Sequence, residues 1–516
     1  MRVLLVRPYP GKSSYTSSYG IITPPLGLLS LAGAVRDLVA VAVLDAEALR
    51  FRSRDTAKMI ADLDPDVVGF TSISSVYYPY AVEVMKYVRR ELKDTVYVVG
   101  GHHATFMYRT ALRDGFDAVV VGEGEETFRE MLLGLKEVGS FKGVRGLAYL
   151  EQGEVKYEPR GLIQDLDKLP YPAYDLVNPD LYKAGIFGDE RIASVETSRG
   201  CPYNCDFCGV TAMWGHTWRS KSTERVLREL ELLEKLRYRW VFIVDDNFIV
   251  PHKLEDRKSL LKALAEKGIG KKLKFIVQIR ADIVTKHPEI AKLLYDAGVR
   301  VAFIGIESGD PEVLRGMKKG LLPSDVARGI GYLSASGIVT HGGLVIGAPY
   351  ETSNQRHRSL KYALGLMYHG LDSLQVSIYT PIPGSAAFYR ALKSSSLLTI
   401  DWRFYDALNP VMRTLAKPWK LFFESRLTMY LFYFAKWLRG KVKALPNFKK
   451  GYDDTINIVS KSVKYLAKKV PEHILLFFTL PLESLVTEVK VRRSAFIPRG
   501  LSRGAVKHQY LRLTTS

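Results

Sequence analysis

The chain is poor in cysteine: its 516 residues include only Cys201, Cys205 and Cys208. A disulfide-stapled secreted scaffold needs more cysteines, spread along the chain. Long apolar runs are also missing, and none approaches the about 20 apolar residues of a membrane-crossing helix. The opening Met1-Arg-Val-Leu-Leu-Val-Arg-Pro8 reads as a β-strand with no small-residue cleavage site after it. The expected location is therefore the cytoplasm, with room for peripheral attachment at the inner face of the membrane. Hydrophobic residues make up 47% and charged residues 25%, which excludes a disordered or collagen-like chain. The length predicts two or three domains.

Acidic residues are scarce in one place. From Val411 to Ser516 there are 21 Lys and Arg against 6 Asp and Glu, a net charge of +15 out of +20 for the whole chain. The partner with an acidic surface is expected to meet this C-terminal fifth.

Residues 1 to about 160 alternate β-branched runs with helical patterns. The runs are Val3–Val6, Val39–Leu44, Val67–Thr71, Val96–Val99 and Ala118–Val121; between them lie Leu26–Arg36, Asp55–Leu63, Ala81–Leu92 and Glu125–Leu135. This alternation predicts an α/β fold with a parallel sheet, in a flavodoxin-like (Rossmann-type) strand order. Small and polar residues gather at the carboxyl ends of three strands: Gly69-Phe-Thr-Ser72, Gly100-Gly101-His102-His103 and Gly122-Glu123-Gly-Glu125. That edge binds ligands in open parallel sheets. Glycines that merely turn the chain into the next helix would explain any one of these ends, but three together favour a ligand edge. His102 and His103 are candidate metal ligands, although pocket lining or a hydrogen bond is the preferred role.

A linker at 161–190 contains Leu169-Pro-Tyr-Pro-Ala-Tyr174. It is followed by Ser198-Arg-Gly-Cys201-Pro-Tyr-Asn-Cys205-Asp-Phe207-Cys208, a C-x3-C-x2-C spacing with an aromatic residue before the last cysteine. Three thiolates from one loop can ligate three irons of a cubane and leave the fourth open. Zinc with His216 as fourth ligand is disfavoured, because zinc sites usually bring a second ligand pair. Plain buried cysteines remain the bland alternative. Five further β-runs follow, at Trp240–Val244, Phe275–Ile279, Val301–Ile306, Thr340–Ile346 and Leu374–Tyr379. With Ile192–Thr197 they make six βα-type units, whose functional residues belong at strand carboxyl ends. Asp245-Asp246-Asn247, Arg280, Glu307-Ser308, Gly347–Tyr350 and Thr380–Ser385 occupy those places. Helix capping is the alternative role for the two aspartates.

The cysteine motif resembles the signature of the radical S-adenosylmethionine (SAM) superfamily. Thr23-Pro-Pro-Leu-Gly27, Gly100-Gly-His-His-Ala104 and Val121-Gly-Glu-Gly-Glu-Glu126 resemble the cobalamin-binding domain that precedes many of its members. The resemblance covers roughly residues 1 to 400. It implies a cobalamin-type domain at 1–160, a partial (β/α)6 TIM barrel at 191–400 and a mostly helical basic region at 401–516. It also implies a [4Fe–4S] cluster on Cys201, Cys205 and Cys208, with Phe207 beside it. Asp245 and Asp246 are then placed at the SAM amino group, Arg280 at its carboxylate, and Glu307 and Ser308 at SAM. Ser72, Gly100, Gly101, His102, Gly122 and Glu123 are placed at cobalamin. The loop after the first strand, Pro8-Tyr-Pro-Gly-Lys12, lacks the His of mutase-type domains, so no imidazole reaches cobalt from there. The implied reaction begins with one electron from an external donor, splits SAM to a 5′-deoxyadenosyl radical and removes hydrogen from an unactivated carbon.

The C-terminal region has apolar stretches at Phe422-Phe423, Leu427–Ala435 and Ile474–Phe478, flanked by Trp419 and Trp437. From Tyr452 to Val470 a helical period puts Tyr452, Ile456, Val459, Val463, Leu466 and Val470 on one face and lysines opposite. A helix packed on the barrel explains that segment alone. The whole region suits an anionic membrane surface and an apolar or lipid substrate better than nucleic acid, a disfavoured partner. The sequence is similar to lipid-acting members of the family, the hopanoid-modifying enzymes and archaeal tetraether-lipid ring synthases. Cyclopentane ring formation in a tetraether lipid is the expected activity. A cobalamin-dependent C-methyltransferase is the alternative enzyme, and a cluster-containing sensor or membrane-associated binding protein the non-enzyme alternative.

Overall fold

A computed structural model describes residues 1–11, 21–185 and 188–442. The segments Tyr452–Val470 and Ile474–Phe478 lie outside the described residues. Packing divides the chain into two compact units, one formed by 1–185, 189–199 and 218–239, the other by 200–217 and, among the described residues, 240–442.

The first unit is built on seven strands: β1 (Arg2–Arg7), β2 (Ala40–Asp45), β3 (Val67–Thr71), β4 (Val96–Gly100), β5 (Ala118–Val120), β6 (Leu147–Glu151) and β7 (Glu154–Tyr157). Their order is β2-β1-β3-β4-β5-β6-β7. The five parallel strands follow the flavodoxin-like 2-1-3-4-5 order expected from the alternation. Val3–Val6 of β1 are buried, as a strand covered on both faces requires. Helices Leu26–Val35, Ser53–Leu63, Tyr78–Val88, His102–Asp114 and Glu125–Val138 connect the strands. Leu28, Ala32, Val35, Phe128, Met131 and Leu132 pack with Val3, Leu5, Val67 and Val98 in one core cluster.

The sequence did not announce β6 and β7, which extend the sheet with antiparallel pairing. Gln152 (φ 51°) and Gly153 (φ 81°) turn the chain between them. Two consecutive positive φ values match the right-handed twist of a tight hairpin. Three short strands complete this unit: β8 (Ile192–Val195), β9 (Ser198–Arg199) and β10 (Arg219–Ser220).

The second unit contains β11 (Trp240–Ile243), β12 (Lys274–Ile279), β13 (Val299–Glu307), β14 (Val339–Ile346) and β15 (Ser373–Ile378), paired in parallel in that order. It is the β-sheet of the partial barrel. Alternate residues such as Ile304, Ile306, Leu344, Ile346, Val376 and Ile378 are buried. Phe303, Gly305, Gly343, Val345, Ser373 and Ser377 between them are only half-buried and define an inner face.

β15 has no strand on its outer side among the described residues, so its backbone groups need other partners. The helix Pro418–Val442 supplies them. Ser425 Oγ donates to Val376 O at 2.6 Å, and Tyr433 Oη donates to Leu374 O at 3.0 Å. The Ile378 amide donates to Ala407 O at 2.7 Å. A buried Arg356–Glu424 ion pair fixes the same helix to the helix Ser353–Gly365. Among the described residues, no helix is long and apolar enough to cross a membrane.

Candidate active site

The cysteine loop begins at a narrow neck. β9 and β10 pair antiparallel, Ser198 with Ser220 and Arg199 with Arg219. Gly200 follows at φ 98°, and a Cβ there would lie 2.3 Å from Thr217 O, so only glycine fits. Between Cys205 and Cys208 the loop is anchored through its middle. Asp206 is buried and its carboxylate accepts from Tyr379 Oη at 3.2 Å and from Arg390. Its backbone exchanges hydrogen bonds with Met317 O (3.0 Å) and the Ala387 amide (2.9 Å). The Phe207 ring packs beside Tyr379, Val313 and Met317. Burial pushes the Cys201 and Cys205 thiols up and the Cys208 thiol up to about 12, and at Cys201 and Cys208 the neighbouring sulfurs add to the shift. Three such thiols lose their protons together only opposite a strongly cationic centre.

The strand ends around this loop differ in how committed their side chains are. Asp245 is buried against Arg257 (3.1 Å), a structural ion pair. Asp246 is exposed, accepts from the Gly200 amide at 3.3 Å, and its charge is felt by Cys201 and Cys208. Arg280 departs from the role expected of it: its guanidinium donates to Asp282 at 3.1 and 3.2 Å, to Lys319 O at 2.9 Å and to Gly320 O at 3.3 Å. It also lies 3.7 Å over the Tyr203 ring, so it braces the cysteine loop. Glu307 is a non-glycine residue at φ 57°, at a register shift between β13 and β14. Lys319 Nζ donates to its carboxylate at 2.6 Å. Ser308 is fully buried and shares its hydroxyl with Ser359 (2.7 Å) and the Asp310 amide (3.1 Å), a structural role. Gly347 is at φ 82° beside Leu421, and Ser385 caps the helix Ala386–Lys393.

At the strand ends of the first unit, Ser72 is a pin rather than an open ligand: it donates to Gly100 O at 2.8 Å and accepts from the Ala104 amide at 3.1 Å. Gly101, at φ 95°, has no room for a Cβ against the Ser72 backbone. His102 is half-buried, edge-on to Phe106. His103 is buried with Nδ1 2.9 Å from Ser75 Oγ, and burial lowers its pKa to about 3, so it is a neutral core side chain. Gly122 is different: at φ 87° it leaves open space where a Cβ would stand. Glu123 is not free for a cofactor. Its oxygens accept from Arg199 (2.6 Å), Arg219 (3.1 Å) and the Ile163 amide (2.6 Å) in a buried network shared with Glu125.

Residues 13–132 match the B12 binding domain family, and residues 195–363 match the Radical SAM superfamily. An uncharacterized methyltransferase of Pyrococcus horikoshii is 36% identical over 442 residues, covering 84% of this chain and 93% of that protein. The chain belongs to the B12-binding radical SAM enzymes. The hopanoid C-3 methylase of Methylococcus capsulatus is 28% identical, covering 80% of this chain and 76% of that protein. An anaerobic magnesium-protoporphyrin IX monomethyl ester cyclase of Synechocystis is 25% identical, covering 83% and 84%. Among solved structures, the radical SAM methyltransferase TsrM from Kitasatospora setae, with cobalamin and a [4Fe–4S] cluster bound, has a TM-score of 0.65. It is 18% identical and covers 90% of this chain and 99% of that one.

Membership in the B12-binding radical SAM enzymes brings a [4Fe–4S] cluster, SAM and cobalamin, and the residues present fit them. Among the described residues no three His, Cys, Asp or Glu side chains form a single-ion cage. A cubane asks for something else, one thiolate per iron spread around a volume. The anchored three-thiol loop offers that donor set. For cobalamin the open backbone at Gly122 is the fitting cradle, while His103 is buried in the core with Nδ1 against Ser75.

Two residues important to this site escaped the sequence reading. Lys319 lies buried beside Cys205 and Glu307, and Asp206 stakes the loop. For Asp206 the signal was present, an acidic residue inside the cysteine motif. Lys319, the second of two lysines after a short helix, carried none.

Proposed function

We infer that the protein is a cobalamin-dependent radical SAM C-methyltransferase acting on an unactivated carbon of an apolar substrate. The observation that carries this reading is the similarity to a methyltransferase at 36% identity over 84% of the chain, a share too large to leave out either the B12-binding or the radical SAM region. The hopanoid C-3 methylase among the relatives supports an apolar, lipid-like substrate.

When bound, the cofactors supply the radical and methyl-carrier chemistry; the chain supplies binding, orientation and exclusion of water. Asp206 and Phe207 hold the cysteine loop. Exposed Asp246, beside two of the thiols, suits the SAM ammonium, since a carboxylate accepts charge-assisted hydrogen bonds. Lys319 suits the SAM carboxylate better than Arg280, whose donors are already engaged. Its ammonium has three N–H bonds, and Glu307 takes one at 2.6 Å. An external electron donor is required. The basic C-terminal fifth, together with exposed Leu431, Phe434 and Leu438 on the helix Pro418–Val442, supports delivery from an anionic membrane surface.

Ring closure in a lipid is the second reading, favoured by the cyclases among the relatives. One experiment separates the two. The reconstituted protein is incubated anaerobically with host lipid extract, a reductant and SAM bearing a deuterated methyl group. Methyl transfer places the label in a lipid and releases S-adenosylhomocysteine. Ring closure removes hydrogen pairs from a lipid and adds no label. SAM cleavage without any lipid change ends the lipid reading, and no cleavage at all leaves a sensor.

A further inference from the structure

The neck from which the cysteine loop springs has a short backbone ladder. β9 and β10 pair Ser198 with Ser220 and Arg199 with Arg219, and the ladder continues through a bond from the Lys221 amide to Thr197 O at 3.0 Å. Two strands this short are marginal by themselves. The last pair also opposes closure, because like charges directly opposite on an antiparallel ladder repel. Arg199 and Arg219 are the residues that bracket the loop: Gly200 and Cys201 follow the first, and Trp218 precedes the second.

The charge that closes this neck comes from another strand end. Glu123, in the segment after β5, is the carboxylate that both arginines share. Its Oε1 accepts from Arg199 Nη1 at 2.6 Å and from Arg219 Nη1 at 3.1 Å, and its Oε2 accepts from Arg219 Nη1 at 3.1 Å and from the Ile163 amide at 2.6 Å. Glu125 accepts from Arg199 Nη2 at 2.6 Å, and Glu196 accepts from Arg199 Nε at 2.6 Å. The side chains of Glu123, Glu125, Arg199 and Arg219 are all buried in the first unit. Salt screens such pairs little, and removing one partner leaves the other as a costly buried charge. Glu123 also stands between two glycines, Gly122 at φ 87° and Gly124. Glycine on both sides gives the backbone that carries this carboxylate a freedom that ordering removes. Gly122 is the cradle that fits cobalamin, so a ligand that orders it also fixes where the Glu123 carboxylate stands.

We propose that Glu123 couples the two cofactors. Cobalamin held at the Gly122 strand end keeps the Glu123 carboxylate between Arg199 and Arg219. That closes both ends of the cluster loop, so cobalamin and the [4Fe–4S] cluster each help to retain the other. Glu123, Arg199 and Arg219 are positioning residues, acting on the loop that carries the thiols. The coupling rests on the B12-binding assignment and not on methyl transfer. It is reciprocal in binding: whatever factor the cluster adds to the affinity for cobalamin, cobalamin adds to the stability of the clustered loop.

The test uses the full-length, cluster-reconstituted protein with hydroxocobalamin as the probe. Iron release is followed through the coloured complex with a ferrous chelator, with and without saturating hydroxocobalamin. The hydroxocobalamin Kd is measured by equilibrium dialysis on cluster-loaded and cluster-free protein. Hydroxocobalamin is expected to slow iron release about tenfold, and the cluster to tighten hydroxocobalamin about tenfold, the span of ordinary coupled sites. In Glu123→Gln the opposed arginines lose their shared charge, so iron should leave faster than from wild type, and the response to hydroxocobalamin should fall below about twofold. Glu123→Gln/Arg219→Leu removes the repulsion together with the shared carboxylate. Its iron release without hydroxocobalamin should return to within about threefold of wild type, while the response stays below about twofold. Glu130→Gln, which breaks a pair with Arg160 on the helix Glu125–Val138, should keep the full response. Hydroxocobalamin that binds wild type without slowing iron release, or with the same Kd whether or not the cluster is present, would overturn the proposal and leave the B12-binding assignment standing. So would a full response in both Glu123 variants. Failure of hydroxocobalamin to bind at all would remove the cofactor from the assignment and the proposal with it. No methyl transfer enters these readouts, so the methyltransferase reading is judged apart from them.

Discussion

Removing the Asp206 carboxylate should loosen the cluster loop by an amount that follows from its partners. In Asp206→Ala, Tyr379 Oη loses its acceptor in a site where the tyrosine is only 1% exposed. A buried donor left unsatisfied costs about 1–3 kcal/mol. Arg390 is 53% exposed and can turn to water, so its screened pair adds at most about 1 kcal/mol. A total of about 3 kcal/mol corresponds to roughly a hundredfold shift towards the open loop. Asp206→Asn keeps an oxygen for Tyr379 and loses only the screened charge, so it should cost about 1 kcal/mol or less. Tyr379→Phe removes one hydrogen bond, about 1 kcal/mol, and leaves the carboxylate its arginine. The assay is the rate at which a chelator strips iron from the reconstituted protein, followed by the charge-transfer absorbance. Release should be fastest in Asp206→Ala, intermediate in Tyr379→Phe and near wild type in Asp206→Asn. If Asp206→Ala releases iron at the wild-type rate, the anchoring argument fails. If Asp206→Asn matches Asp206→Ala, the charge rather than the buried hydroxyl holds the loop.

Cys205→Ala should abolish formation of 5′-deoxyadenosine in an anaerobic SAM-cleavage assay; retained cleavage would remove the cluster from the mechanism. Lys319→Met leaves Glu307 buried and unpaired, which should destabilise the second unit by about 3–5 kcal/mol. The double variant Lys319→Met/Glu307→Gln should recover most of that loss in urea unfolding, and its SAM binding should stay weak. His103, with its folded pKa lowered to about 3, is neutral in the fold but takes up a proton on unfolding below about pH 6.5. Its contribution is therefore complete above pH 6.5 and declines as the pH falls towards 3, by about 1.4 kcal/mol per unit. Unfolding of His103→Phe should lack that part of the acid slope, and an unchanged slope would show that the ring is protonated in the native state.

The fold was legible where its signal is local. β-branched runs alternating with helical periods gave the parallel sheets, because each strand and helix declares itself over a few residues. The cysteine spacing gave the cluster loop for the same reason. Two elements of the first unit were missed. The β6–β7 hairpin turns on Gln152-Gly153, and glutamine is not a residue that advertises positive φ. The helix His102–Asp114 has His103 at the head of its buried face, and the Gly-Gly-His-His run that opens it reads as a strand end with pocket-lining or hydrogen-bonding side chains rather than as the first turn of a helix. At the site, residue type and strand end were readable, but prior commitments were not. Arg280 and Glu123 stand where a cofactor side chain would be sought, yet their donors and acceptors are taken by Lys319 O, Asp282, Arg199 and Arg219. Those partners are distant in sequence or carry no motif, so only the folded chain reveals them.

The way Ser425, Tyr433 and Ala407 cover the flank of β15 sets a limit on how far this protein can be trimmed. Ending the chain near residue 400, where the barrel strands are complete, would strip the partners from Leu374, Val376 and Ile378. The result would be an uncovered edge strand offering its free amides and carbonyls to any neighbouring molecule, the template from which sheets grow between chains. A shortened version should therefore precipitate even if its strands and helices form. The shortest soluble catalytic fragment should retain the chain through the helix that ends at Val442.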